Sequence, residues 1–399
     1  MDSRATIAGI GAITALGRGV EAQASSLESG SRSMHAPTLF DAMGGGPVAE
    51  VAGGLVPPLP PGHSWIDTRA VRLAVAALDE AVDDAGMDAD SMRRASIWVG
   101  TTSSGILEGE VALMIGGDSP RPAYRHFDDQ YVAGAVARAV SRLRGIRGAR
   151  RTLSTACSSS ANALARAAAA VEAGESDVAV VIGVDPIART TYFGFGSLGL
   201  LSSRPTRPFD AGRDGLTLGE GAACLIVESR AHATARGARV RARVLGWHMN
   251  VDGHHITQPD PEGRGIEACM RGALDRSGLD PAGVDHVNAH GTGTPQNDLI
   301  EGQAIGRVFG RRVPVTSTKS FTGHPLGAAG ALEAVFSVIA IRDGTIPATQ
   351  GIERMDPALD IDVVTGRSRR VAVRTVMSNS FGFGGNNCCL VLGAPEAAR

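Results

Sequence analysis

The sequence predicts an α/β protein made of two similar halves, with helices covering largely parallel sheets. Three observations carry this. Apolar strand-like runs alternate with helix-like segments along the whole chain, the pattern of layered α/β proteins. Two landmarks recur at one spacing: Ser154-Thr155-Ala156-Cys157 and Ser317-Thr318-Lys319-Ser320 lie 163 residues apart, and so do Gly219 and Gly382. Two landmarks at one offset point to an internal repeat. Hydrophobic residues form 43% of the 399 residues, enough to fill a large core without disulfide or metal staples.

The elements follow in order. Residues 5–10 form a short apolar run ended by Gly11, read as the first strand. Residues 55–62 are a Pro-rich surface loop, too short to divide domains. Residues 68–85 carry helical apolar periodicity closed by Gly86, and 95–100 read as a buried strand. Cys157 ends a strand-like stretch ahead of an Ala-rich helix over 161–173, stopped by Gly174. Residues 178–184 are continuously apolar, as expected of a strand covered on both faces. Leu218-Gly219-Glu220-Gly221 leads into a strand over 222–227. The polar, Arg-rich stretch 229–243 is the join, which divides the chain into halves 1–238 and 239–399. In the second half a strand over 313–316 precedes a small-residue helix over 327–342, stopped by Gly344. Phe381-Gly382-Phe383-Gly384 then leads into a strand over 387–392.

Composition excludes several functions. Lys+Arg 39 against Asp+Glu 41 leaves a formal net charge of −2, which argues against a dedicated nucleic-acid binder. Aromatic residues are only 4%, too few for base-stacking platforms. The N-terminus lacks a basic region followed by a long apolar run, so it reads as a strand rather than a signal peptide. No uncharged apolar stretch is long enough to span a membrane. A cytoplasmic location is the expectation. The five cysteines, Cys157, Cys224, Cys269, Cys388 and Cys389, show no paired spacing, so neither a disulfide framework nor a zinc cluster is expected.

Four of those cysteines sit inside apolar strand or helix segments and read as packing residues. Cys157 differs. It stands where a strand turns into a helix, followed by Ser158, Ser159 and Ser160, which suit a helix start. A thiol there feels the positive end of the helix dipole, which favours the nucleophilic thiolate. Two histidines lie in small-residue loops of the other half: His290 in Asn288-Ala289-His290-Gly291-Thr292-Gly293-Thr294, and His324 in Lys319-Ser320-Phe321-Thr322-Gly323-His324. Two His in small-residue loops, with a Cys and a Lys at matching places of a repeat, suggest one site assembled where the halves meet, because Cys/His catalysis needs convergence in space, not in sequence.

These motifs, with Asn379-Ser380-Phe381-Gly382-Phe383-Gly384-Gly385-Asn386, Arg207-Pro208-Phe209-Asp210 and Gly219-Glu220-Gly221, resemble the β-ketoacyl-acyl carrier protein synthases of the thiolase superfamily, in the class using one Cys and two His. The resemblance spans essentially the whole chain. It implies the thiolase fold: two βαβαβαββ halves in a five-layered α-β-α-β-α core. It implies an acyltransferase in which Cys157 takes an acyl group as a thioester. A malonyl thioester then loses carbon dioxide and attacks that group. His290 and His324 would hold the enolate oxygen, and the N–H groups of Cys157 and Phe383 would form the oxyanion hole. Lys319 would support the histidines, with Glu333, Glu301 and Asp298 as carboxylate partners. Thr292 and Thr294 would contact the phosphopantetheine arm, and Phe383 would be the gate to the acyl pocket. No cofactor or metal is implied, since the pantetheine belongs to the carrier protein.

The implied partners are an acidic acyl carrier protein and a second ketosynthase-like chain, identical or not. Arg69, Arg72, Arg204 and Arg207, with Arg213, are the expected docking residues. Arg147, Arg150 and Arg151 are a second basic group. Fatty-acid elongation and a specialised polyene or polyketide pathway both fit; the segment 154–164 and Pro295-Gln296-Asn297-Asp298 resemble synthases of aryl-polyene-type pathways. A thiolase, which needs a second catalytic Cys, and a non-catalytic chain-length partner, which lacks the nucleophile, are the alternatives.

Overall fold

The computed structural model describes residues 5–63, 66–115 and 132–395. Among the described residues, ten strands carry the fold, five from each half. In the first half, β1 (Thr6–Thr14), β2 (Ser96–Gly100), β3 (Arg150–Leu153), β4 (Val178–Asp185) and β5 (Gly221–Glu228) lie side by side as β3-β2-β4-β5-β1. In the second, β6 (Ala242–Val251), β7 (His286–Asn288), β8 (Pro314–Thr316), β9 (Thr375–Gly382) and β10 (Asn386–Gly393) lie as β8-β7-β9-β10-β6. Numbered within each half, the two orders are identical. The sheets touch where β1 pairs with β6, at Thr6 with Arg243 and Ile7 with Ala242. A two-residue strand, Asp362–Val363, extends the second sheet beyond β8.

The expected largely parallel pairing holds for only some strands of each sheet. β3, β2 and β4 are parallel, as are β8, β7 and β9. The closing strands β5 and β10 run antiparallel to both neighbours. Antiparallel strands need no crossover helix, and β9 turns into β10 through only Phe383–Gly385.

Helices complete five layers. α1 (Arg69–Ala85) covers the outer face of the first sheet, and α4 (Arg264–Ser277) that of the second. Thr68 caps α1 by accepting from the Val71 N–H, and Gly86 ends it in the left-handed conformation, as a helix C-terminus favours. Between the sheets lie α2 (Ser159–Glu172) and α6 (Ala329–Asp343), which pack on each other and on strands of both halves. Their small residues are a packing requirement. A Cβ on Gly330 would stand 2.6 Å from that of Ala161, so the two backbones approach as closely as glycine permits. The helix expected from residue 327 begins as a single tight turn, Leu326–Ala328, before α6. Two further helices border the site: α3 (Arg189–Ser197) and α5 (Pro295–Phe309).

Candidate active site

Cys157 sits between β3 and α2, on a turn that its own sequence strains. Ala156, just before it, has φ 51, a left-handed conformation costing a non-glycine residue roughly 1–3 kcal/mol. Three donors hold the Ala156 carbonyl: Ser159 Oγ at 2.6 Å, the Ser159 N–H at 3.1 Å and Thr102 Oγ1 at 3.1 Å. The turn lifts the sulfur off the end of the sheet toward the second half.

His324 meets it there. Its Nε2 lies 3.0 Å from Cys157 Sγ. The His324 backbone is fixed by the first half, donating to the Thr217 carbonyl at 2.7 Å and accepting from the Gly219 N–H at 3.0 Å. The His290 ring stands edge-on to that of His324, with centroids 5.3 Å apart. The sulfur and one nitrogen of each ring fall within 4.8 Å of one another.

Lys319 sets the chemistry of His290. Its ammonium lies 3.2 Å from His290 Nδ1, donates to the His290 carbonyl at 2.7 Å, and contacts the Glu333 carboxylate. An ammonium can only donate. His290 Nδ1 is therefore the acceptor, and the ring proton resides on Nε2. The same positive charge opposes a cation at the three-residue cluster. Of the two expected carboxylates, Glu333 is the direct partner. Glu301 instead receives the backbone N–H groups of His290 and Gly291, both at 2.7 Å, and so shapes the histidine loop. Burial pushes each of these two carboxyls up to about 7 against those stabilising contacts. Asp298 has a similar role on the preceding turn of α5, accepting from the Phe209 N–H at 2.8 Å and the Gly293 N–H at 3.1 Å.

The expectation of a lowered thiol pKa is overturned. Cys157 is buried, and desolvation pushes its thiol up to about 11. The Lys319 charge and the N–H groups of Phe383 and Cys157, which bond the sulfur, act the other way but do not win. Burial and the same lysine hold both histidines well below the ordinary imidazole range, so both are neutral at pH 7.

The site opens into a cavity of about 400 Å³ lined by Cys157, both histidines, Thr292, Thr294 and Phe383. The two threonine hydroxyls are 2.8 Å apart. Phe383 stacks on Phe195 of α3, with ring centroids 5.6 Å apart and planes 23° off parallel. Gly382 lets its loop approach Cys157: a Cβ there would lie 3.1 Å from the Cys157 nitrogen. Gly384, at φ 79, donates to the Ile256 carbonyl at 2.7 Å, tying the Phe383 loop to the segment whose Thr257 and Gln258 line the cavity. Sequence reading missed Phe195, although an aromatic between glycines in Gly194-Phe195-Gly196 is the same signal that marked Phe383.

The arginines are not brought together as expected. Arg69 is an internal residue: its guanidinium grips the fully buried Glu220, with Nε 2.9 Å from Oε2, and it also bonds the Val51 carbonyl. Arg207 is buried beside Asp210 and bonds the Gly212 carbonyl. Arg213 is likewise enclosed, paired with Asp356 at 2.6 Å. These three are structural because each faces a carboxylate supplied by its own fold. Arg72 pairs with Asp67 at the surface, and Arg204 is exposed. None of the five lines the cavity.

A strained Cys turn, two neutral histidines and a buried Lys–Glu pair, set between two matching halves, define a condensing enzyme of the thiolase fold. Residues 3–233 match the beta-ketoacyl synthase N-terminal domain, and residues 241–353 match its C-terminal domain. The chain is 36% identical to 3-oxoacyl-[acyl-carrier-protein] synthase 2 of Coxiella burnetii (strain RSA 493 / Nine Mile phase I), covering 98% of each. Among solved structures it is similar to the ishigamide ketosynthase/chain length factor, at 33% identity and TM-score 0.90, over 98% of this chain and 99% of that one. It is also similar to a ketosynthase in complex with its chain length factor from Xenorhabdus doucetiae, at 33% identity and TM-score 0.88, over 98% of both chains. The chain belongs to the beta-ketoacyl synthase family. It is an acyltransferase, a β-ketoacyl-[acyl carrier protein] synthase that condenses a malonyl thioester with a Cys-bound acyl group and releases carbon dioxide.

Proposed function

We propose that this chain is the condensing subunit of a ketosynthase pair that extends a polyene- or polyketide-type acyl chain, with a non-identical chain-length-factor-like partner. One observation carries the chemistry: Cys157 Sγ lies 3.0 Å from Nε2 of a neutral histidine. In the first half-reaction His324 takes the thiol proton as the sulfur attacks the acyl thioester, then returns it to the departing pantetheine thiolate. The N–H groups of Cys157 and Phe383 hold the tetrahedral oxyanion. In the second, the malonyl carboxylate leaves as carbon dioxide and its bonding pair passes to the α-carbon. His290, donating from Nε2, stabilises the enolate oxygen, and His324 becomes the second donor in the tautomer that carries its ring proton on Nε2 instead of Nδ1. The carbanion attacks the acyl carbonyl and the Cys157 sulfur departs. Thr292 and Thr294 contact the arm, Phe383 gates the pocket, and Arg72 and Arg204 remain for carrier docking.

The partner reading is supported by the sheet edge. Among the described residues β3 ends the sheet path, and its Arg150 and Arg151 are exposed, as is the nearby Arg147. An open edge can accept a strand. A second copy meeting it by two-fold symmetry would bring the same arginines together, whereas a partner with acidic residues there would neutralise them. Two solved relatives whose names pair a ketosynthase with a chain length factor support the same reading. Fatty-acid elongation by a homodimer is the second reading, favoured by the Coxiella relative.

Peptide mapping after incubation with an acyl-loaded carrier protein tests the chemistry. The acyl mass is expected on the Cys157 peptide; its appearance on a peptide holding Cys388 and Cys389 would overturn the assignment. Sedimentation tests the partner. The isolated chain is expected to self-associate weakly at low salt; a stable homodimer there favours the second reading.

A further inference from the structure

Asp185 ends β4 and is fully buried. Every group bonded to it is a donor. Oδ1 accepts from Thr101 Oγ1 at 2.7 Å, the Ser103 N–H at 2.7 Å, Ser103 Oγ at 2.8 Å, the Thr102 N–H at 3.0 Å and the Ser104 N–H at 3.3 Å. Oδ2 accepts from the Thr102 N–H at 3.0 Å and the Gly327 N–H at 2.6 Å. Thr102 then donates through Oγ1 to the Ala156 carbonyl at 3.1 Å. The carboxylate thus reaches the turn before Cys157 through one hydroxyl, and the turn after His324 directly.

Backbone strain marks the same place. Among the described residues, five non-glycine residues have positive φ: Met43, Ser104, Ala156, Phe209 and Leu326. Three adjoin this carboxylate: Ser104 donates to it, Ala156 is held by Thr102, and Leu326 precedes Gly327. Such conformations persist only where their surroundings over-determine them. The fit is tight, since a Cβ on Gly327 would stand 2.7 Å from both Asp185 Oδ2 and Thr102 Oγ1. Asp185 does not line the cavity.

We infer that Asp185 is a positioning residue that clasps the Cys157 turn to the His324 turn and so fixes the sulfur–nitrogen distance on which both half-reactions depend. This rests on reading Cys157 and His324 as the reacting pair. The clasp joins the halves at the one place where their reactive groups must agree in position. Its charge also acts on the sulfur. Cys157 is faced by Lys319, His290, His324 and Asp185, and of these the Asp185 charge raises its pKa.

The test is Asp185→Asn, an isostere whose amide turns an N–H₂ toward donors. Turnover in condensation is expected to fall at least about tenfold, since displacing reacting groups by an ångström costs about a hundredfold. KM for malonyl carrier protein should change by less than about twofold, the pattern of a loss felt in the transition state. Alkylation of Cys157 by iodoacetamide should become faster at pH 7, its midpoint moving to lower pH as the negative charge is removed. Because a loosened fold would also expose this buried thiol and speed its alkylation, the comparison is made on variant protein whose urea-unfolding midpoint matches the wild type; slower condensation with faster alkylation in that protein reads the clasp. Thr102→Val and Thr102→Ser form a second pair that spares the carboxylate: the valine variant should slow condensation and the serine variant should not. Wild-type turnover in both Asp185→Asn and Thr102→Val would overturn the inference, as would slowed alkylation in a folded Asp185→Asn protein. If Asp185→Asn does not fold, the Thr102 pair decides. A wild-type protein that alkylates at Cys157 but never condenses would contradict the proposed reaction, while the alkylation midpoints would still read the clasp.

Discussion

Replacing Lys319 by methionine removes the charge that joins His290, the His290 carbonyl and Glu333 in a region closed to solvent. Breaking one side of a buried ion pair typically costs about 3–5 kcal/mol, because the remaining charge is left in a low dielectric. Here Glu333, already raised to about 7 by burial, would take up a proton instead. The double variant Lys319→Met/Glu333→Leu removes both charges. Only the His290 carbonyl and Nδ1 then lose a partner, at roughly 1–3 kcal/mol. Urea unfolding should therefore show the single variant less stable than the double by about 2 kcal/mol. Condensation should be lost in both, since neither keeps the His290 proton on Nε2. Alkylation of Cys157 should slow in both, because the lysine is the largest influence lowering the thiol pKa. A double variant no more stable than the single, or one that condenses normally, would refute this role of Lys319.

Other outcomes follow from the same geometry. In the wild type, iodoacetamide alkylation of Cys157 should rise about tenfold per pH unit toward a midpoint near 11, since the buried thiol stays protonated below it; a midpoint near 7 would mean that the helix dipole outweighs desolvation. His290→Ala should lower malonyl decarboxylation by roughly 2–4 kcal/mol of barrier while sparing acylation, whereas His324→Ala should slow both, because only His324 touches the sulfur; stopped-flow acylation and carbon dioxide release separate them. Arg69→Glu should destabilise the fold by about 3–5 kcal/mol in a thermal or urea melt by facing the buried Glu220, while Arg204→Glu should raise KM for the carrier protein and leave stability unchanged.

Much of this was legible in the sequence because it rests on local chemistry. The 163-residue repeat corresponds to identical strand orders in the two halves. The motifs around Cys157, His290, Lys319 and His324 locate groups that meet in space. Four things were not legible, each for a physical reason. The antiparallel closing strands were hidden because a buried strand is apolar whichever way its neighbour runs. The thiol pKa was misjudged because a helix start is visible in sequence but the burial of the sulfur is not. Arg69 and Arg207 looked like docking residues because a sequence displays a charge without its partner; their carboxylates, Glu220 and Asp210, appear only with the fold. Asp185 was overlooked as the polar end of an apolar run, a place where a buried carboxylate must have a reason to be.

The most direct measurement is the intact mass of the carrier protein after the enzyme meets an acyl-loaded carrier and malonyl carrier labelled with ¹³C in the free carboxyl. The expected product is a β-ketoacyl carrier protein longer by one unlabelled two-carbon unit, with the label recovered as carbon dioxide or bicarbonate, and neither product from Cys157→Ala. Label retained in the product, or extension by the alanine variant, would contradict decarboxylative condensation at Cys157.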